Sequence, residues 1–240
     1  MSTRIPPDAS GAAQRPEEID IAGVSMVVDV AGALWLAHEN MIVVADLHLE
    51  KGSSLAQRRV LLPPYDTAAT LARLAGLMER YRPRRIIALG DSFHDRTAAQ
   101  RMDEADRDAL RALQTGRDWI WIAGNHDPLP PESVGGQAAD EIRIGPLTFR
   151  HEPTMGAPMG EIAGHLHPVA RVVTKTGSLR RRCFASDGTR CIMPAFGAYA
   201  GGLNLRDPAF TKLFLNGAPS AHVLGRDRVY RVAHDYCQSD

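Results

Sequence analysis

Apolar residues along this chain come in short runs whose period changes on the way. From about residue 20, β-branched runs separated by turn residues predict strands: IAGVSMVVDV, ALWLA, and MIVVA at 41–45. From Asp66 to Tyr81 the apolar residues Leu71, Leu74, Ala75, Met78 and Tyr81 recur every three or four positions with Arg and Glu between them, which predicts an amphipathic helix. Arg84 to Leu89 returns to a buried strand, Asp103 to Gln114 to a second helix with Leu110 and Leu113 inward, and DWIWIA to a third strand. This alternation predicts an α/β sheet with helices on its faces. Beyond residue 140 the runs EIRIG, LTFR, ARVVT, RCFAS, RCIMP, KLFLN, AHVLG and RVYRV follow one another closely, so the second half is expected to be rich in strands.

No repeat, linker or composition break divides the halves. Residues 19–238 therefore read as one domain built from two sheets. Residues 1–18, rich in Pro, Ala, Ser, Gly and charge without apolar periodicity, read as a mobile leader. No stretch approaches the roughly 18 apolar residues of a membrane span, and no secretory signal is visible, so a cytoplasmic location is expected. The three cysteines sit in no CxxC pattern, which disfavours a disulfide framework or a thiolate zinc site. The formal net charge is zero, so a polyanion would have to be met by a local patch rather than a global field.

Chemistry enters at the strand ends. MIVVA runs into Asp46-Leu47-His48, RRIIAL into Gly90-Asp91-Ser92-Phe93-His94, and DWIWIA into Gly124-Asn125-His126-Asp127. LTFR runs into His151, and GEIA into Gly164-His165-Leu166-His167. The carboxyl ends of strands in an open α/β sheet converge on one edge, so these side chains are expected to meet. Two-residue spacing in Asp46-x-His48 and His165-x-His167 puts each pair on one side of an extended segment. Carboxylate, imidazole and carboxamide donors without thiolates suit Mn²⁺, Fe or Zn²⁺. Two such ions suit phosphate ester hydrolysis, because one polarises a phosphoryl oxygen while the pair makes hydroxide available near neutral pH.

In order and spacing, these motifs resemble the signature of the calcineurin-like metallophosphoesterases over about 120 residues. The resemblance implies a four-layer α/β/β/α sandwich with two central mixed β-sheets. It also implies that Asp46, His48 and His167 hold one metal, that Asn125, His151 and His165 hold the other, and that Asp91 bridges both. His126 would lie over the substrate phosphate, with Asp127 orienting it.

DLHLEKGSS, GDSFHD, HEP, GHLHP and PAFGAYAGGLN further resemble the bacterial DNA-ligase-associated metallophosphoesterases. That branch implies a Mn²⁺-dependent phosphodiesterase and DNA endonuclease acting on DNA, expected to be single-stranded, with a DNA ligase or helicase of a repair system as partner. GDSFHDR departs from the GDxxDR of many phosphomonoesterases by one residue, which argues against monoester recognition. His94 takes the place of the first Asp of that pattern, where it would contact substrate or buttress Asp91. The alternatives are a phosphodiesterase for a small cyclic nucleotide or nucleotide pyrophosphate, and a non-catalytic scaffold of the same fold that binds a protein. His38, His222 and His234 match no motif and are read as structural. Lys175, Arg180, Arg181, Arg182 and Arg190 form either a solvated hairpin, the favoured reading, or a basic wall for a nucleic-acid backbone. Pro194–Gly202 reads as a loop that closes the second sheet, with Tyr199 or Asn204 as possible groove residues.

Overall fold

The computed structural model describes residues 17–240 apart from 61, 64, 129–131, 157, 175, 176 and 216. Most of the expected leader, and Lys175, lie outside the described residues. The first sheet opens with the antiparallel strands β1 (Glu18–Ile21), β2 (Val24–Val28), β3 (Leu34–Leu36) and β4 (Met41–Val44). Two helices, α1 (Lys51–Gln57) and α2 (Asp66–Tyr81), lead to β5 (Arg85–Leu89), and α3 (Ala98–Arg101) and α4 (Glu104–Gln114) lead to β6 (Asp118–Ile122). With β7 (Gln137–Ala139), strands β4 to β7 are parallel, the first two connections being helical crossovers.

Period-two alternation splits these strands between two cores. Ile42, Val44, Ile86, Ala88, Trp119 and Trp121 pack with Leu71, Leu74, Leu77 and Met78 of α2 and Leu110 of α4. Met41, Val43, Ala45, Ile87, Leu89 and Ile122 turn the other way and meet the second sheet. α2 spans the residues its periodicity predicts and stops at Arg82, whose left-handed φ of 48° lets its N–H reach Met78 O. α1 and α3 are absent from the sequence reading, because seven residues with Gly52, Ser53 and Ser54, or four residues alone, carry too little periodicity.

The second sheet contains β8 (Glu141–Ile144), β9 (Leu147–Arg150), β10 (Glu161–Ala163), β11 (Pro168–Thr174), β12 (Gly177–Ser186), β13 (Arg190–Ile192) and β14 (Leu203–Asn204). After α5 (Pro208–Leu213) come β15 (Ser220–Leu224) and β16 (Val229–Val232), then β17 (Cys237–Gln238). Leu147, Phe149, Ile162, Phe184 and Met193 fill the space between the sheets, while Phe210, Leu213 and Phe214 cover the outer face of the second sheet over Ala163, Cys183 and Ile192. Three buried clusters thus separate four layers: helices, sheet, sheet, helix. This is the calcineurin-like α/β/β/α sandwich, as the sequence predicts.

The KLFLN run is corrected, since Lys212 and Leu213 end α5 rather than form a strand. Phe210, Leu213 and Phe214 have helical spacing, Pro208 sits at the first helical turn, and the Asp207 carboxylate accepts Ala209 N at 2.8 Å. Asp207→Ala is expected to cost about 1 kcal/mol in chemical denaturation; an unchanged midpoint would show that packing alone holds α5.

Candidate metal centre

The chain leaving β4 and the chain leaving β5 lie side by side past their strand ends. His48 N donates to Asp91 O and Leu49 N to Ser92 O, both at 2.9 Å, and His94 N returns to Leu49 O at 2.9 Å. Within this zipper and in the β10 exit the backbone is not extended. Asp46 (φ 53°), His48 (44°), Asp91 (44°), His165 (69°) and His167 (47°) are all left-handed. The expectation that two-residue spacing acts through an extended segment is therefore corrected: left-handed turns direct these side chains. Such conformations cost energy for non-glycine residues and persist where surrounding contacts enforce them.

The turns bring two clusters together. In one, His48 Nε2 and His167 Nε2 face each other at 3.4 Å, and His167 Nε2 lies 3.1 Å from Asp46 Oδ1. In the other, Asn125 Oδ1 lies 2.9 Å from His151 Nε2 and 3.0 Å from His165 Nδ1, and the two imidazole nitrogens are 3.2 Å apart. Asp91 Oδ1 lies 3.5 Å from His151 Nε2. Asp46 also reaches the second cluster, with Oδ1 3.7 Å from His151 Nδ1. Donor atoms of Asp46, His48 and His167 lie within 4.8 Å of one another, as do those of Asp46, Asp91 and His151.

Two ring nitrogens facing each other near buried carboxylates fit a cation better than they fit protons. Burial, and then the neighbouring His167, push His48 down to about 2, so its ring is neutral and its lone pair free. Burial first and then His151 lower His165 as well. His151 Nδ1 is 3.0 Å from Leu89 O, which places its proton there and leaves Nε2 as a donor. Divalent ions such as Mn²⁺, Fe²⁺ or Zn²⁺ match this set of imidazole, carboxylate and carboxamide groups.

Close packing leaves no room at two glycines. A Cβ on Gly124 would lie 2.1 Å from Asp91 N and 2.3 Å from Asp91 Oδ1, and one on Gly90, itself at φ +68°, would lie 2.5 Å from the His151 ring. The Pro194–Gly202 loop has a role that its sequence did not reveal. Phe196 N donates to Ala45 O and Gly197 N to Asp46 O, so this loop of the second sheet clamps the first ligand turn. Ala198 N adds a bond to Thr70 Oγ1.

His126 stands above the clusters, half exposed, with its backbone N–H on Asp91 Oδ1 at 2.9 Å and its Nε2 3.8 Å from Asp91 Oδ2. Its Nδ1 bonds to the carbonyl of His94 at 2.9 Å, and the two rings stack with centroids 5.4 Å apart. The orienting group is thus the His94 backbone. Asp127, expected to orient His126, turns its carboxylate to Phe93 N at 2.9 Å, and burial pushes it up to about 7. The sequence reading identified His94 but could not foresee that its carbonyl bonds to His126 while its ring stacks on it.

Other candidates lie apart from the clusters. Arg190 is fully buried, pairs with Glu161 at 3.2 Å and donates to Leu213 O and Thr154 O, so it is no part of a basic wall. Tyr199 donates to Pro63 O, and Asn204 to Gln238 O. Asp95 is held by Arg101 through two oxygens, at 2.9 and 2.7 Å. His222 is buried against Glu17. The cysteines are buried and free. Among the described residues, no helix is long and apolar enough to cross a membrane.

No family model and no curated protein matches this chain. Among solved structures, a crystal structure of Pseudomonas putida nuclease MPE is similar, with a TM-score of 0.71 and 29% identity, covering 91% of this chain and 100% of that one.

Proposed function

We propose that this chain is a two-metal phosphodiesterase that acts as a DNA endonuclease. The observation that carries this reading is the meeting of Asp46, His48 and His167 with Asn125, His151 and His165 around Asp46 and Asp91, from five strand ends in two sheets. Similarity to a nuclease over nearly the whole chain supports the substrate class. Of the metals this donor set accepts, the reading takes Mn²⁺, with Fe or Zn²⁺ as rivals. A DNA ligase or helicase as partner rests only on the resemblance of the ligand-loop motifs.

In this reading Asp46, His48 and His167 hold one ion, Asn125, His151 and His165 the other, and Asp91 joins them. Divalent ions bound there supply Lewis acidity to a phosphoryl oxygen and a water of near-neutral pKa. His126 keeps the Nδ1 proton on the His94 carbonyl, so Nε2 accepts a proton when the ring is neutral and donates one when it is charged. In this reading it serves the leaving sugar oxygen. His126→Ala should retain its metals and turn over roughly 10²–10⁴-fold more slowly. Loss of bound metal in that variant would make His126 a ligand instead.

The reading is tested on protein stripped of metal and resupplied with Mn²⁺, Zn²⁺ or Mg²⁺ separately. The substrates are a generic phosphodiester, the matching monoester and circular single-stranded DNA. Metal-dependent cleavage of the diester and the circle is expected, with little monoester turnover. Diester cleavage with an intact circle would transfer the site to a small substrate. No cleavage with any metal would sink the enzymatic reading.

A further inference from the structure

Between β12 and the β15–β16 hairpin the second sheet opens. β15 meets β12 only at Cys183–Ser186, so residues 177–182 of β12 have β11 on one edge and no strand on the other among the described residues. Arg180, Arg181 and Arg182 stand there, and Arg226 faces them across the gap beside Leu224 and Gly225. Arg181 and Arg226 meet no carboxylate among the described residues, and Arg180 bonds to Gly202 O and to Asp240. Arg182 spends its donors on the carbonyls of Ala195, Phe196 and Gly197.

A further guanidinium, Arg73, lies over the Phe196 ring at 4.9 Å, with its Nη1 buried and unpartnered among the described residues. Burial and the charge of Arg182 lower it to about 10. In the cleft, Arg181 and Arg226 are thus left without an ion pair among the described residues, and each can take a phosphate.

The gap continues into an apolar groove that shares Arg181, Leu224, Gly225 and Arg226 with it. Leu179, Val173, Tyr230 and Tyr236 stay exposed in this groove, Tyr236 most of all at 77%. Asp227 and Asp235 are its acidic members. Arginines beside exposed tyrosines are the two elements of a single-strand platform, one for phosphates and one for base faces. An acidic protein segment would satisfy the arginines but has no use for flat rings.

We propose that this groove is an exosite for single-stranded nucleic acid, with the phosphates on Arg181 and Arg226 and a base on Tyr236, Tyr230 already lying under the Arg228 guanidinium. Arg182, the next residue of β12, bonds from the opposite face of the strand to the Pro194–Gly202 loop that clamps the Asp46 turn. The proposal rests on the nuclease reading for its substrate class.

The test uses the full chain and a labelled oligothymidylate of about 30 nucleotides, bound in chelator so that nothing is cut. Arg181→Glu/Arg226→Glu is expected to weaken binding at least tenfold. It should also lower the slope of log Kd against log salt by about 1.4, for two phosphates at about 0.7 each. Tyr236→Ala should weaken binding roughly fivefold or more with an unchanged slope. Turnover of a small diester with Mn²⁺ should be unaffected in all variants. Equal affinity of the arginine variant and the parent overturns the exosite, whether or not DNA is cut. Displacement by polyglutamate as effective as by oligothymidylate overturns the nucleic-acid assignment. Tight, arginine-dependent binding without any cleavage would retain the exosite and sink the nuclease reading instead.

Discussion

Asp91→Ala is expected to lose turnover of a phosphodiester by at least roughly 10³-fold, beyond the 10–100-fold typical when a ligand's hydrogen-bond partner is changed. Its carboxylate has three duties at once. Oδ1 lies 3.5 Å from His151 Nε2, the same oxygen accepts His126 N, and Oδ2 faces the His126 ring at 3.8 Å. Its removal therefore takes a donor from the metal centre and frees the loop carrying His126. The main chain is expected to persist, because His48 N bonds to the carbonyl of residue 91 rather than to its side chain. Metal content by elemental analysis should fall by about one equivalent with unchanged circular dichroism. A variant with full metal content and full turnover would remove Asp91 from the site.

A second large effect lies far from the chemistry. Arg190 and Glu161 are both 1% exposed in their side chains and pair at 3.2 Å on the adjacent parallel strands β13 and β10. Breaking a buried pair from one side leaves an uncompensated charge and costs about 3–5 kcal/mol. Arg190→Met should melt about 6–20 °C lower, at about 2–4 °C per kcal/mol for a chain of this size. Arg190→Met/Glu161→Leu should regain only part of this, since Glu161 Oε1 also accepts Thr154 N and Oγ1. If Arg190→Met melts at the parent temperature, the pair is not structural and its place on a ligand-bearing sheet needs another reason.

The contrast between these two sites shows what was legible in the sequence. Each candidate donor follows an apolar strand within a few residues, so local pattern gathered the polar residues and the two-sheet order, while the choice of ligands among them came from the family resemblance. Arg190 looked like a surface cation because its neighbours Glu161, Thr154 and Leu213 are 23 to 36 residues away. Still longer separations hid the clamp of Gly197 on Asp46 and the cleft shared by Arg181 and Arg226. The left-handed turns at Asp46, His48, His165 and His167 escaped for a different reason, as backbone strain leaves no mark in residue type unless glycine takes the position. KLFLN was misread because three apolar residues in a short run satisfy both periods, and the Asp207-Pro208 cap is what decides between them.

The division of donors between the sheets has a consequence for how the protein is made. Asp46, His48, Asp91 and Asn125 belong to the half built of strand–helix–strand units from neighbouring sequence, whereas His151, His165 and His167 come with the second sheet. His48 meets His167 across 119 residues. A ribosome that has released only the first sheet exposes oxygen donors and a single ligand imidazole, too few to grip a transition ion firmly. Under the two-metal reading, metal capture would wait until both sheets have closed, and a half-made chain would carry no complete centre into the cell.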